Sequence, residues 1–251
     1  MATAFIRPYK TSDFADTAHI CRATLPPTLA ASEPAVRIAP YIWTHQYTLL
    51  SPATCFVLDD GSGAAVGYVI GCADVFALAA AYPRYVDEVL LPAAAREGGG
   101  GGAAAGGDVP VPGQLERLKP WLVPDGGGGV VGRVINEACL AQMAHSPRWL
   151  PLEGVEGKEE LVRRFRATMH IDLLEGWRGK GWGREMITVF MASVRDAVEA
   201  GGGGLDCGRG VHIGVAGENK KVVPFYERVG FRVYEGGERE GGNVWMVSEL
   251  S

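Results

Sequence analysis

The residues best suited to chemistry form one short stretch, WRGKGWGR at residues 177–184, where three glycines alternate with cations and tryptophans. It joins a strand-like segment to an amphipathic helical pattern. Backbone N–H groups at a helix N-terminus lack intrahelical acceptors, and the helix dipole adds positive potential there. Glycine lets this backbone approach a ligand closely, and Arg178, Lys180 and Arg184 add charge. The stretch therefore predicts an anion site suited to phosphate.

The glycine spacing excludes two common phosphate-binding motifs. A P-loop requires Ser or Thr after its lysine, but Gly181 follows Lys180. A dinucleotide fingerprint requires a glycine three residues beyond Gly181, where this chain has Arg184. The spacing that is present is R-x-x-G-x-G, formed by Arg178, Gly181 and Gly183.

A second pattern lies nearer the C-terminus, in ENKKVVPFYERVGF. It fits N-x-x-x-x-x-[LF]-Y-x-x-x-G-F, with Asn219, Phe225, Tyr226, Gly230 and Phe231 in place. Asn219 and Tyr226 are seven residues apart, about two helical turns, so they are predicted to share one face. The alternative interpretation of Tyr226 is a core aromatic residue whose hydroxyl reaches the surface.

The two patterns, in this order, resemble the pyrophosphate loop and the second motif of the GNAT superfamily of N-acetyltransferases. Three further segments narrow the resemblance: HIDLL, GVHIGV and SPATCFVLDDGSGAAVGYVIGCADVFAL. They are similar to bacterial and fungal single-domain acetyltransferases related to the acetyltransferase-like C-terminal domain of O-GlcNAcase. The likeness covers most of the chain except about residues 93–130. The chain departs from the pattern at Glu175, where proline is usual, and in its glycine-rich insertions.

The resemblance implies that acetyl-CoA is the co-substrate. The loop that would hold its pyrophosphate comprises Arg178, Gly179, Lys180, Gly181, Trp182, Gly183 and Arg184. The strand edge at Leu173 and Leu174 would pair with the pantetheine arm, and an N–H there would polarise the thioester carbonyl. Asn219 would contact the pantetheine, and Tyr226 would protonate the CoA sulfur. The glycine loop is degraded in the O-GlcNAcase domain but intact here, which favours a protein that binds the co-substrate.

The acceptor side is expected on one face of the strand that precedes the loop. His170 and Asp172 share that face, because side chains alternate along a strand. The opposite face is apolar and should meet the core; it carries Met169, Ile171 and Leu173. His212 lies on a neighbouring predicted strand. A carboxylate beside a histidine is a plausible general base, with Asp172 the first candidate and His212 the second. The equally weighted alternative is a buried polar cluster that ties the two strands together.

Two further residues are candidates for contacts with the acceptor. His170 is expected to line the acceptor site beside Asp172. Asp74 follows a predicted hairpin, where it could bind a cationic acceptor or cap a loop. The scattered histidines and cysteines show no metal-ligand spacing, so no metal site is predicted.

Strands and helices alternate along the chain. Strands are predicted over residues 5–10, in a hairpin that turns at Asp59–Gly63, and over 167–174, 210–216, 231–235 and 243–250. Helices are predicted over residues 14–22, within 32–50 with a break at Pro40, over 76–97 with an interruption near Pro83, and over 130–144, 181–200 and 218–230.

The element order indicates one mixed α/β domain over residues 1–251, with a low-complexity, glycine-rich insertion at about 97–130. The resemblance implies the GNAT fold (α/β, or α+β). This fold has a central mixed, mostly antiparallel sheet that is splayed between two strands around the acetyl-CoA cleft, with helices on both faces.

Composition narrows the classes of function. The chain has 251 residues, 47% of them hydrophobic, and a net charge of −5, which argues against a general nucleic-acid binder. Five cysteines without a C-x-x-C pair, no signal-peptide pattern and no long apolar run predict an intracellular protein of the cytoplasm or nucleus, without a membrane segment.

The sequence thus predicts an acetyl-CoA-dependent N-acetyltransferase that acts on a primary amine by direct attack on the thioester. The alternative is a catalytically silent module that binds CoA or recognises a partner. The acceptor and the oligomeric state stay open at this level.

Overall fold

A seven-stranded sheet organises the chain, and the computed structural model describes residues 3–95, 107–125, 132–153, 156–200, 204–238 and 242–250. The strands, including a separate two-stranded pair, are β1 (Phe5–Pro8), β2 (Phe56–Asp59), β3 (Ala65–Cys72), β4 (Leu122–Pro124), β5 (Arg133–Ile135), β6 (Ala167–Leu173), β7 (Gly210–Val215), β8 (Arg232–Glu238) and β9 (Val244–Glu249). The helices are α1 (Phe14–Ala23), α2 (Pro27–Ala30), α3 (Glu33–Trp43), α4 (His45–Leu50), α5 (Val75–Tyr85), α6 (Leu91–Ala95), α7 (Glu137–His145), α8 (Lys158–Arg164), α9 (Trp182–Ala200) and α10 (Val223–Arg228).

The strand order of the large sheet is β1-β2-β3-β6-β7-β9-β8. Neighbouring strands are antiparallel except β6 and β7, which are parallel. The β6–β7 ladder contains only Ala167 opposite Val211 and Thr168 opposite His212. Beyond these pairs the two strands separate, so the mixed, mostly antiparallel sheet predicted from the sequence is confirmed, as is its splay.

The two faces of the sheet are covered by different helices. Helix α9 packs on one face, where Phe190 and Val194 are fully buried against Met169 of β6. Gly71 on β3 permits this packing, since a Cβ atom there would lie 2.9 Å from the Phe190 ring. The opposite face meets α1, α4 and α5 through a second cluster that includes Tyr68. The alternation predicted for β6 is therefore observed, with its apolar set towards α9.

Two expected helix breaks lie at other positions. Pro40 and Pro83 are inside α3 and α5, and the chain leaves α-helical geometry only afterwards, at Thr44 and in a π-helical turn over Val86–Leu90. Proline removes one N–H donor, but its carbonyl still accepts, as the bond from the Thr44 N–H to the Pro40 oxygen shows at 3.0 Å.

The inserted region contains structure that the sequence analysis did not predict. Residues 130–144 were expected to form one helix. Instead, the strand β5 pairs with β4, and the side chain of Asn136 accepts a hydrogen bond from the Ala138 N–H to begin α7. The glycine runs at 98–102 and 126–129, and most of the run at 201–204, lie outside the described residues.

No described helix has the length and apolar composition that crossing a lipid bilayer requires. Within the same ranges, no three His, Cys, Asp or Glu side chains group in a way that could hold a metal ion.

Candidate active site

The separation of β6 and β7 opens a cleft whose two walls remain hydrogen-bonded to other strands. Leu173 on β6 stays paired with Gly67 of β3, and Val215 on β7 stays paired with Val244 of β9. Both parallel strands end at the open end of the cleft. The glycine loop follows β6 there, and the segment that leads into α10 follows β7. The sheet therefore brings the two sequence motifs to one place.

Of the two residues at the end of β6 that were expected to pair with a ligand, only Leu173 directs its N–H into the cleft. The Leu174 N–H donates to the Val66 oxygen of β3 at 3.0 Å, so it is directed away from the cleft. Successive strand residues direct their N–H groups to opposite sides, so the Leu173 N–H is directed into the cleft. The expected pairing of this edge with a ligand thus rests on Leu173, and Leu174 is corrected to a β3 contact.

The loop before α9 has the backbone geometry that its glycines allow. Gly179 and Gly181 adopt φ values of 73° and 92°, a region that residues with a side chain rarely occupy. The Arg184 and Glu185 N–H groups both donate to the Gly181 oxygen, which starts the helix. No described atom lies within 4 Å of a Cβ built at Gly179 or Gly181, so the loop presents bare backbone to an open space.

The cations of this loop are partly positioned by contacts within the protein. The Arg178 Nε donates to the Leu173 oxygen at 2.7 Å, which ties the loop to the end of β6. The Lys180 ammonium lies 5.3 Å from the centroid of the Trp177 ring, a cation–π distance. Arg184 is exposed on the first turn of α9. The three cations give the loop a local positive charge.

Gly183, the third glycine of the loop, has a packing role. A Cβ atom at Gly183 would lie 3.1 Å from the Phe225 ring, so glycine allows α10 to pack against the start of α9. Trp182 is half-buried and packs against the apolar cluster between α9 and the sheet. The R-x-x-G-x-G spacing therefore also places the helix that carries Tyr226 beside the loop.

Asp172 lies on the face of β6 opposite α9, and Tyr68 on β3 is its cross-strand neighbour. The Tyr68 hydroxyl donates to Asp172 Oδ2 at 2.7 Å. Burial raises the pKa of Asp172 to about 6, while the hydrogen bonds from Tyr68 and Thr24 and the charge of Arg178 oppose that rise. A carboxylate with this pKa is ionised at neutral pH and can accept a proton from an amine.

Tyr226 on α10 is half-buried, with its ring beside those of Phe225 and Phe231. Burial raises the pKa of its hydroxyl, and the negative charge of Asp172 raises it further. The hydroxyl therefore keeps its proton at neutral pH and can act as a donor. Tyr226 and Asp172, predicted from separate motifs, are thus close enough for the charge of Asp172 to act on the Tyr226 hydroxyl.

The two histidines predicted near the base are neutral. His212 is almost fully buried, and its Nδ1 donates to the Phe165 oxygen at 2.7 Å. Burial and the nearby Lys158 lower the pKa of His212 to about 3 and that of His170 to about 4. His212 is also at the closed end of the cleft, in the last β6–β7 pair. Its expected role as a base is corrected to that of a structural contact between β7 and the segment that precedes β6.

Lys158 on α8 is a buried residue near the two histidines, and its burial was not predicted from the sequence. Its ammonium group contacts the Leu150 oxygen and lies 4.6 Å from the centroid of the Trp245 ring. Burial lowers the pKa of Lys158 to about 7. It occurs in a charged stretch, KEELVRR, that reads as a solvent-exposed helix, so its burial could not be foreseen.

Asp74 is not at the cleft. Its carboxylate caps α5, accepting from the Phe76 N–H at 2.8 Å, and lies 3.7 Å from an Arg166 nitrogen. It follows the end of β3 that is paired with the start of β6, whereas Asp172 is paired near the other end of β3. The expected contact with the acceptor is therefore corrected to a helix cap, the alternative that the sequence left open.

Asn219 does not share a helix with Tyr226. It lies in a 3₁₀ segment, Gly217–Val222, with a φ of −113° and a ψ of 19° that interrupt the helical path before α10. Asn219 and Tyr226 therefore do not share one helical face, contrary to the prediction, although Asn219 does follow β7 at the open end of the cleft. Its contact with a pantetheine arm stays a prediction.

Solved structures share this architecture. The chain matches the crystal structure of SsHAT with a TM-score of 0.66 and 23% sequence identity, over 99% of each chain. It matches PH1933 from Pyrococcus horikoshii OT3 with a TM-score of 0.50 and 11% identity, again over 99% of each chain. A third match is yncA from Salmonella typhimurium with its cofactor acetyl-CoA, with a TM-score of 0.43 and 12% identity, over 99% of this chain and 95% of that one. Neither a protein-family model nor a curated protein matches the chain.

Proposed function

We propose that this chain, which has the fold of the GNAT acetyltransferases, transfers an acetyl group from acetyl-CoA to a primary amine. One observation carries the proposal. The cleft between β6 and β7 brings together a glycine loop suited to pyrophosphate, a free strand edge, an ionisable carboxylate and a protonated phenol.

Acetyl-CoA binding follows from the loop and the strand edge. The N–H groups of residues 179–183 would donate to the pyrophosphate, and Arg178, Lys180 and Arg184 would supply charge. The pantetheine arm would extend along β6, in the position that a paired β7 would otherwise occupy. The Leu173 N–H would donate to the thioester carbonyl oxygen and stabilise the oxyanion that forms there.

The chemistry requires one base and one acid. Asp172 takes a proton from the acceptor ammonium, and the neutral amine attacks the thioester carbon. The C–S bond breaks as the C–N bond is completed, and the Tyr226 hydroxyl donates its proton to the departing CoA sulfur. The second proton of the amine nitrogen returns to the Tyr226 oxygen, and Asp172 releases its proton to solvent. The products are an acetamide and free CoA thiol. The raised pKa makes Asp172 a stronger base than an ordinary aspartate, and the raised pKa of Tyr226 keeps its hydroxyl protonated at neutral pH.

Two measurements test the proposal. Acetyl-CoA should raise the unfolding temperature, because a ligand that binds only the native state stabilises it. Free thiol should then appear when primary amines are added. Stabilisation without thiol release across amines of all classes would favour the silent CoA-binding module, and no stabilisation at millimolar acetyl-CoA would favour a module that recognises a partner without CoA.

Tyr226→Phe tests the acid. We expect kcat to fall by about 10–10²-fold, since a positioned proton donor contributes on the order of 10²-fold or more. The Kd for acetyl-CoA should stay close to that of the wild type, because the pyrophosphate loop is untouched. Tyr234→Phe is the matched control, since its hydroxyl contacts Arg164 away from the cleft. Full turnover by Tyr226→Phe across the pH range would remove Tyr226 from the mechanism.

A further inference from the structure

A fully buried hydroxyl contacts the carboxylate assigned as the base. Tyr68 lies directly opposite Asp172 in the β3–β6 ladder and donates to its Oδ2 at 2.7 Å. Only 1% of the Tyr68 side chain is exposed, so no water competes freely for this bond. The contact joins residues that are 104 positions apart in the chain.

We propose that Tyr68 is a positioning residue, which orients Asp172 for proton abstraction and keeps it ionised at neutral pH. This inference rests on the proposed function. The bond occupies Oδ2 and leaves Oδ1 to accept the proton of the amine. A hydrogen bond to the charged form of a buried carboxylate stabilises that form and offsets part of its desolvation.

Other groups face Asp172, but Tyr68 is the one suited to this role. The groups around the carboxylate are Cys21 on α1, Thr24 at the C-terminal end of α1, Arg178 in the loop, Tyr226 on α10 and Tyr68 on β3. The Ile20 oxygen, at 2.8 Å, competes with Asp172 for the one Thr24 hydroxyl proton, and Arg178 Nε is bound to Leu173. The Tyr68 hydroxyl donates to Asp172, and burial holds its pKa well above the ordinary value, so its proton stays in place.

Tyr68→Phe tests the inference. Phenylalanine keeps the buried ring and removes only the donor. The acid limb of the kcat/KM profile should move up by about one to two pH units, because a hydrogen bond to a charged group has that effect on its pKa. At pH 7 kcat/KM should fall by roughly 2- to 10-fold, the loss of ionised base that a rise in pKa from about 6 by one to two units gives, and at high pH it should approach the wild-type value. The Kd for acetyl-CoA should not change.

Tyr85→Phe is the matched control. Tyr85 is also fully buried and donates one hydrogen bond of 2.8 Å, to the Tyr41 oxygen, but it does not contact Asp172. It should lose similar stability and keep the wild-type pH profile. In an Asp172→Asn background, Tyr68→Phe should have no further effect on turnover, because it acts through the carboxylate.

The outcomes separate the inference from the proposed function. A wild-type protein without transferase activity would overturn the function itself. Activity in the wild type with an unshifted profile in Tyr68→Phe would overturn only the role of Tyr68. If Tyr68→Phe does not fold, the Asp172 carboxyl can be titrated in the wild type by NMR, with Asp172→Asn for assignment. Titration near pH 6 supports the inference, and titration above about pH 8, as in buried carboxylates without such a donor, contradicts it.

Discussion

Asp172→Asn is expected to lower kcat/KM for acetyl transfer by about 10²–10⁴-fold, the usual contribution of a general base. Asparagine keeps the shape of the side chain and can still accept from Tyr68, but it cannot take the proton of the acceptor. Wild-type kcat/KM should fall by a factor of about ten per pH unit below pH 6, because protonation of a carboxylate with a pKa of about 6 removes the base. The variant should lack this acid limb.

The same variant has a stability signature that separates loss of the base from loss of the fold. The pKa of Asp172 is raised in the folded protein, so the wild type loses stability as the pH rises through about 6. Asparagine does not ionise and avoids that loss. Asp172→Asn should therefore unfold at a temperature no lower than the wild type at pH 8, and its acetyl-CoA Kd should be unchanged. Wild-type activity in a folded Asp172→Asn would show that Asp172 is not the base.

Gly181→Val is expected to raise the Kd for acetyl-CoA by roughly 10- to 10²-fold. Gly181 has a φ of 92°, and a β-branched residue there adds strain of about 1–3 kcal/mol. Relief of that strain would rotate the N–H groups away from the phosphate, and the side chain would fill the space in front of the helix. Isothermal titration with acetyl-CoA measures the effect.

Gly176→Ala is the matched control for this substitution. Gly176 is only a few residues away, in the 3₁₀ turn Glu175–Trp177, but it does not have a positive φ. No described atom lies within 4 Å of a Cβ at this position, so alanine fits without a shift. Its acetyl-CoA Kd should equal that of the wild type. Equal binding by Gly181→Val and Gly176→Ala would exclude a role for the loop conformation.

Much of the cleft could be predicted from local sequence. The spaced glycines, the preceding alternation of His170 and Asp172 with apolar residues, and the amphipathic pattern of α9 are short-range features. Each depends on backbone geometry within a few residues, so it is readable without the fold. The observed strand, loop and helix confirm that order over residues 167–200.

Other assignments depended on contacts between distant segments and could not be predicted. Asp74 and His212 are both polar and next to predicted strands, which made them candidates. Only the sheet shows that Asp74 caps α5 and that His212 is enclosed at the closed end of the cleft. The prediction that Asn219 shares a helical face with Tyr226 failed because the chain turns through 3₁₀ geometry before α10.

The sequence by itself determined the backbone conformation of the glycine loop before α9 and which face of β6 carries Asp172. Glycine conformations and strand alternation are both local properties. The tertiary structure alone decided that Leu173 and not Leu174 directs its N–H into the cleft, and that Tyr68 holds Asp172. Both follow from the register of β3 against β6, two strands separated by about a hundred residues. That register is selected by the packing of whole faces, which no short segment contains.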